Sequence, residues 1–212
     1  MLSLEEIFQA RNRLAPYVYH TPLLHLHALD PLLGCQVYVK AECMQLTHSF
    51  KIRGALNRIL QLTPEERARG VVTASSGNHG RGVAYAAKML GIKATVVIPD
   101  HAPAVKIQAV RDLGAEVILC DKPKRFAIAE KLRDEKGLCY IPPFNDYAVM
   151  AGQGTIALEI FQDLPDPAAV LVPLGGGGLT SGIATAIKGI RPETRVYACE
   201  PARIPRFTVS LK

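Results

Sequence analysis

Three short stretches carry residues whose types and spacing could do chemistry. The first is Ser49-Phe50-Lys51-Ile52-Arg53-Gly54-Ala55, in which Lys51 stands between two apolar residues. An ammonium held among apolar groups loses solvation, so its pKa falls and the free amine becomes available. A free amine is what a lysine needs to form a Schiff base with a carbonyl. The same pattern also fits a surface lysine that lays its stem on apolar neighbours. The second stretch is Gly175-Gly176-Gly177-Gly178, followed by Leu179-Thr180-Ser181-Gly182. Consecutive glycines let a ligand approach the backbone closely, and their N–H groups ahead of a helix make an anion site. The loop lacks the lysine of a G-x-x-x-x-G-K-[ST] loop and the acidic ribose partner of a dinucleotide fingerprint, so a small phosphate is the ligand it suggests. The third is Ser75-Ser76-Gly77-Asn78-His79-Gly80. Hydroxyls, an amide and backbone N–H groups at a helix start suit a carboxylate, and Ser76 could carry a proton. A plain turn with Asn78 or Ser76 as N-cap fits the same residues. Pro142-Pro143-Phe144-Asn145 is a rigid loop that reads as a connector.

These stretches need elements to hold them. Ser3-Leu4-Glu5-Glu6 is a capping box opening a helix to about Leu14, which Pro16 ends. Residues 20–24 read as an extended link, 36–41 as a strand by their β-branched and aromatic content, and about 54–62 as a helix. Thr63-Pro64-Glu65-Glu66 is a second capping box with proline at the first helical position, and its helix reaches about Arg69. From Gly70 onward the alternation is regular. Strands are expected at 71–74, 94–98, 116–120, 138–141, 169–173 and 195–199, and helices at 82–90, 103–113, 125–136, 148–161 and 179–188. Gly91, Gly114, Gly137 and Gly189 read as helix C-caps. Such alternation implies parallel βαβ units with right-handed crossovers. Continuous apolar strands imply a sheet covered on both faces. In such sheets ligands gather at the carboxyl ends of the strands, where the turns at 75–80 and 175–178 fall.

Bulk composition narrows the function classes. A chain of 212 residues suggests one large domain or two small ones, and 49% hydrophobic with 21% charged residues is ordinary for an α/β protein. The net charge of +6 is spread along the chain, the densest run being Lys122-Pro123-Lys124-Arg125. That pattern reads as a solvated surface, without a nucleic-acid patch. Cys35, Cys43, Cys120, Cys139 and Cys199 are scattered, without C-x-x-C, and read as free buried thiols in a reducing cytosol. His20, His25 and His27 cluster, but no cysteine or carboxylate is seen at metal-ligand spacing, so they read as ordinary polar positions. The N-terminus shows no basic-then-apolar leader, and no apolar run approaches a membrane span. The expected setting is cytoplasmic, with no nucleic acid and no membrane.

A Schiff-base lysine, a phosphate cup and a carboxylate loop together describe pyridoxal 5'-phosphate carrying an amino acid. The segments Gln45 to Ala55, Ser75 to Gly80, Ala151-Gly152-Gln153-Gly154-Thr155 and Gly175 to Ala184 resemble, in order and spacing, the fold type II pyridoxal-phosphate enzymes of the threonine dehydratase and serine racemase branch. The resemblance covers nearly the whole chain. It implies a tryptophan synthase β-like α/β fold with two parallel-sheet, three-layer domains. The larger would comprise 1–69 and 148–212, incomplete at its C-terminal end, and the smaller, mobile one 70–147. It implies that Lys51 holds the cofactor and later removes the substrate Cα proton. Phe50 would pack against the ring, and Asn78 would bond the ring hydroxyl. Gly175, Gly176, Gly177, Gly178 and Leu179 would bind the phosphate. Ser75, Ser76, Asn78 and His79 would face the substrate carboxylate, and Ser76 matches the opposite-face acid/base of the racemases. The implied reaction is elimination of ammonia from L-threonine or L-serine, giving 2-oxobutanoate or pyruvate, in a homodimer or higher homo-oligomer.

Several positions depart from that family. Family members continue beyond the last strand, and the continuation supplies the residue that meets the pyridine nitrogen; no residue here takes that role. His48 stands where many relatives have glycine, and Pro142 replaces a common histidine. Glu200 matches a cation ligand of the racemases, but Arg206 stands where a second carboxylate is expected, so no metal is expected. Serine racemase is the enzymatic rival reading. A cofactor-binding protein without turnover is the rival from another class.

Overall fold

The computed structural model describes residues 1–210. Helix α1 (Leu4–Leu14) opens at the expected capping box: the Ser3 hydroxyl accepts from the Glu6 N–H and the Glu6 carboxylate accepts from the Ser3 N–H. Residues 20–24 form more than a link. Strand β1 (Leu23–His25) pairs antiparallel with β2 (Tyr38–Lys40), and a short helix, α2 (Asp30–Leu33), turns the chain between them. Neither β1 nor α2 has a periodic signal of its own. β1 exists because β2 offers it hydrogen bonds, and α2 is ended by Gly34 at φ 66. Helix α3 spans Lys51–Leu60, so it starts three residues before the expected Gly54 and makes Lys51 its first residue. The reversal comes just ahead, at His48 with φ 54. A left-handed φ favours glycine, which accounts for the glycine that many relatives place there. Helix α4 (Pro64–Arg69) follows its capping box as expected.

Strands β3 (Val71–Ala74), β4 (Ala94–Pro99), β5 (Glu116–Cys120) and β6 (Cys139–Tyr140) form a parallel sheet in the order β5-β4-β3-β6. The crossovers are α5 (Asn78–Met89), α6 (Ala104–Arg111) and α7 (Arg125–Lys136). Every residue of β3 and β4 is buried. The period of two divides them: Val71, Val96 and Ile98 pack with α5 and α6, while Val72, Ala74 and Val97 pack with Ala129 of α7. Here the sheet is covered on both faces, as its apolar runs require.

The second parallel pair, β7 (Ala169–Pro173) with β8 (Arg195–Cys199), departs from that expectation. Helices α8 (Tyr147–Asp163) and α9 (Gly178–Ile190) cover one face, with Val172, Ile183 and Ile187 in a core shared with Ile7 and Ala10 of α1. Leu171 and Tyr197 are exposed, because no described element lies on the other face. The cysteines differ for the same reason. All five are free, but Cys35, Cys43 and Cys199 are exposed and Cys120 and Cys139 are half-buried, since they fall at strand ends or in turns. Gly189 does not close α9; it lies inside the helix against Leu4. Among the described residues no helix is long and apolar enough to cross a membrane.

Helix α3 is the hub that fixes the chemistry of the first stretch. It packs on α8 where Gly54 meets Gly152: a Cβ on Gly152 would stand 2.5 Å from the Arg53 carbonyl oxygen and 2.7 Å from the Gly54 Cα. On its other side α5 approaches through Gly82, whose Cβ would lie 3.3 Å from the Ile52 nitrogen. Backbones at this distance hold the start of α3 in one place relative to both neighbours.

Candidate active site

Lys51 occupies the first turn of α3, where no side chain caps the free N–H groups. A cation there is opposed by the positive end of the helix dipole. Its surroundings are also largely dry, and burial pushes its pKa from 10.5 to about 8. The amine donates to the Pro143 carbonyl oxygen at 2.7 Å and sits 5.3 Å from the centre of the Phe50 ring. Lys51 is therefore a partly buried amine with a lowered pKa and not a solvated surface lysine.

The Ser75–Gly80 turn leaves β3 and enters α5 beside it. The N-cap of α5 is Gly77, and no side chain caps the helix. That decides against the plain capped turn: Ser76 and Asn78 are exposed and free to meet a ligand, and Ser75 accepts from the Gly77 N–H at 3.3 Å. His79 faces inward. Its Nε2 bonds the Ile141 carbonyl oxygen at 3.0 Å, which makes Nε2 the protonated nitrogen. Burial, with the neighbouring Lys51 charge pushing the same way, lowers its pKa to about 4. The imidazole is thus neutral, and its buried Nδ1 lone pair has no partner among the described residues. It braces the turn against the end of β6.

The glycine loop leaves β7 and enters α9. Gly177 is the N-cap at φ 87, again without a side-chain cap, and Gly175 and Gly176 are exposed. Gly178 is buried and Leu179 half-buried against the core of α8 and α9. Three uncapped helix starts, at Lys51, Asn78 and Gly178, thus leave free N–H groups at the carboxyl ends of strands or in the turn beside them.

What joins these parts is the loop read as a connector. The Pro143 carbonyl takes the Lys51 bond. The Phe144 ring lies against Gly176, and the Phe144 backbone lies so close to Gly178 that a Cβ there would be 2.9 Å from its oxygen. Asp146 then caps α8 through the Val149 N–H and pairs with Arg58 of α3 at 3.2 Å. The sequence signal for this role was rigidity, the double proline, but rigidity alone does not say what a loop touches.

Arg53 is the second residue whose role sequence reasoning missed. It is fully buried, two residues after Lys51. Its guanidinium holds Glu42 through two bonds of 2.8 Å and Glu159 through bonds of 2.5 and 2.9 Å, and it donates to the Tyr19 carbonyl. Burial alone would lower its pKa, but the bonds and charges of Glu42 and Glu159 more than reverse that. Lys40 bonds Glu159 at 2.8 Å and Asp163 at 3.3 Å, and Asp163 meets His20. The chain of charges ties β2, α3 and α8 together behind Lys51.

The histidine reading needs correction. A carboxylate does lie at ligand spacing: Asp30, brought back by α2, stands 2.7 Å from His25 Nε2, and His27 is beside them. Glu200 is used otherwise than as a cation ligand. It accepts from the Phe207 and Thr208 N–H groups and from the Thr208 hydroxyl, capping α10 (Arg206–Ser210).

A phosphorylated carbonyl compound fits these residues. The lysine has a depressed pKa, the glycine loop opens a helix that no side chain caps, and the buried Ser49 and Thr47 hydroxyls and His79 Nδ1 have no partner among the described residues. Comparison with known proteins agrees. The family described as pyridoxal-phosphate dependent enzyme matches residues 14–212. An L-threonine ammonia-lyase of Thermotoga maritima is 46% identical over 214 residues, covering all of this chain and 53% of the relative. A serine racemase of Oryza sativa is 43% identical over 200 residues, covering 93% of this chain and 59% of the relative. The crystal structure of serine racemase from Dictyostelium discoideum superposes with a TM-score of 0.94 at 39% identity, covering 99% of this chain and 69% of that one. The chain spans about half the length of the first of these relatives.

Proposed function

The chain belongs to the pyridoxal-phosphate-dependent enzymes of fold type II, and from that premise we propose that it acts as a threonine/serine ammonia-lyase. The observation that carries the reading is Lys51: a partly buried amine with a pKa of about 8, joined through the Pro143–Phe144 loop to a glycine loop with an uncapped helix start. Relatives named threonine ammonia-lyase support the choice of reaction. When bound, pyridoxal 5'-phosphate supplies an aldehyde that condenses with amines and a ring that accepts negative charge.

The residues of this chain do the rest. Lys51 holds the cofactor through its amine. When not holding the cofactor, the same Lys51 amine would be the base that takes the substrate Cα proton. Gly175, Gly176, Gly177, Gly178 and the N–H of Leu179 hold the phosphate at the start of α9. Phe50 packs on the ring, and Asn78 bonds its hydroxyl. Ser75, Ser76, Asn78 and the backbone of His79 receive the substrate carboxylate at the start of α5. Elimination removes the Cα proton and the β-hydroxyl as water. The enamine released from L-threonine hydrolyses to 2-oxobutanoate and ammonia, and that from L-serine gives pyruvate. Residues 70–147 would form a smaller domain that closes and excludes water, against a larger one of 1–69 and 148–212. The setting we propose is a reducing cytoplasm, which suits five free thiols, and a homo-oligomer, which would cover Leu171 and Tyr197.

A second reading, serine racemase, is favoured by the exposed Ser76 at the start of α5 and by the racemase relatives. One experiment separates them. Purified chain is incubated with pyridoxal phosphate, alone and with L-threonine or L-serine, beside Lys51→Ala. A visible cofactor band that requires Lys51, with release of 2-oxobutanoate or pyruvate, is the expected result. D-serine formation in place of pyruvate would replace the lyase by the racemase. A stable band without turnover would leave only cofactor binding, and no band would overturn the assignment of Lys51.

A further inference from the structure

The hairpin of β1, α2 and β2 gathers two imidazoles and a carboxylate well outside the residues assigned to catalysis. The ligand atoms of His25, His27 and Asp30 lie within 4.8 Å of one another. We propose that these three side chains form a binding site for one transition-metal dication of the zinc type. The site is independent of the lyase reading.

The geometry builds it from the backbone outward. His25 ends β1, and His27 stands in the turn that follows it. Their ring centroids are 3.7 Å apart. Tyr38, paired with His25 across the hairpin, stacks on its ring at 4.6 Å and fixes its plane. Asp30 enters from the first turn of α2. Its Oδ1 accepts from the Val37 N–H at 2.9 Å, which leaves Oδ2 aimed at His25 Nε2, 2.7 Å away. A hydrogen bond that orients a ligand carboxylate from behind is what metal sites use to set their ligands. Zinc at about 2.0–2.2 Å from nitrogen and oxygen ligands keeps them roughly 3.3 Å apart in a tetrahedron. The His25–Asp30 pair therefore opens slightly to admit the ion, and His27 swings in. His27 is exposed, and His25 and Asp30 are half-buried, so water completes the coordination and the ion has a path in. Two imidazoles with one carboxylate select Zn²⁺, Ni²⁺ or Cu²⁺ over Mg²⁺ and Ca²⁺, which require oxygen ligands. Bound there, the ion would clamp the hairpin whose β2 carries Lys40 to Glu159.

Zn²⁺ titration of the full chain against a chromogenic chelator tests the site. The thiols are first alkylated, because three of the cysteines are exposed. One Zn²⁺ per chain is expected, with affinity reduced at least about 10-fold in both His27→Ala and Asp30→Asn. His27 is exposed, so its variant keeps the fold, and asparagine retains the acceptor for the Val37 N–H; circular dichroism checks both. Co²⁺ should give visible d–d bands in the parent that are lost in His27→Ala. Absence of stoichiometric uptake would overturn the proposal. So would uptake that neither substitution weakens.

Discussion

Lys51 combines an aliphatic stem in a dry environment with an amine at the positive end of a helix, and both features oppose its charge. The unfolded chain, where the pKa is near 10.5, binds the proton more strongly than the fold, where it is about 8. Folding is therefore penalised in full below about pH 8, progressively less up to about 10.5, and not at all above. Lys51→Met should raise stability by about 2 kcal/mol at pH 7, and that gain should vanish near pH 10.5. Urea unfolding at both pH values checks this; an equal gain at both would mean that the charge is not the cause. The same reasoning makes the lysine a cost to stability, which the proposed role of its amine would explain. Neutral His79 differs: its Nε2–H is satisfied by Ile141, and its Nδ1 has no partner among the described residues.

At the scale of elements, the start of α3 is held by Arg53 rather than by a cap. One guanidinium bonds two carboxylates from different parts of the chain, Glu42 in the turn after β2 and Glu159 of α8, and all three are largely or wholly buried. Arg53→Met would leave Glu42 without its counter-charge and Glu159 with Lys40 alone, at a cost of about 3–5 kcal/mol. The triple variant Arg53→Met, Glu42→Gln, Glu159→Gln should recover more than half of that, because it removes the stranded charges as well. Thermal denaturation of the two variants checks the prediction. If the triple variant is no more stable than the single, packing of the Arg53 stem, not charge, holds α3 in place.

At the scale of the molecule, the site is assembled from segments far apart in the chain: Lys51 from α3, the turn before α5, the loop after β6 and the glycines before α9. Phe144 is where the last two meet, with its ring on Gly176 and its backbone on Gly178. Phe144→Ala should cost only about 1 kcal/mol in stability, because the residue is partly exposed. It should weaken pyridoxal phosphate binding several-fold by loosening the glycine loop. Fluorescence titration with the cofactor beside urea unfolding separates the two effects. Unchanged affinity would show that the loop is held by α9 alone.

Much of this was legible in the amino-acid order, and for definite reasons. Capping boxes at Ser3 and Thr63, the continuous apolar runs of β3 and β4, and glycines at helix ends are local signals, so the elements and the parallel α/β class followed from them. Lys51 between Phe50 and Ile52 announced its own desolvation, and the glycine run marked the start of α9. The rest depended on partners distant in sequence. β1 exists only against β2, and the third metal-ligand candidate, Asp30, meets His25 only because α2 turns back. Arg53 is a charged residue in an apolar helix face until Glu42 and Glu159 are brought to it, and Pro143 is a connector until its carbonyl meets Lys51. Local order sets which backbone each segment prefers. Only the packing of α3 between α5 and α8 decides which buried polar groups find each other, because that depends on non-local contacts no short window contains.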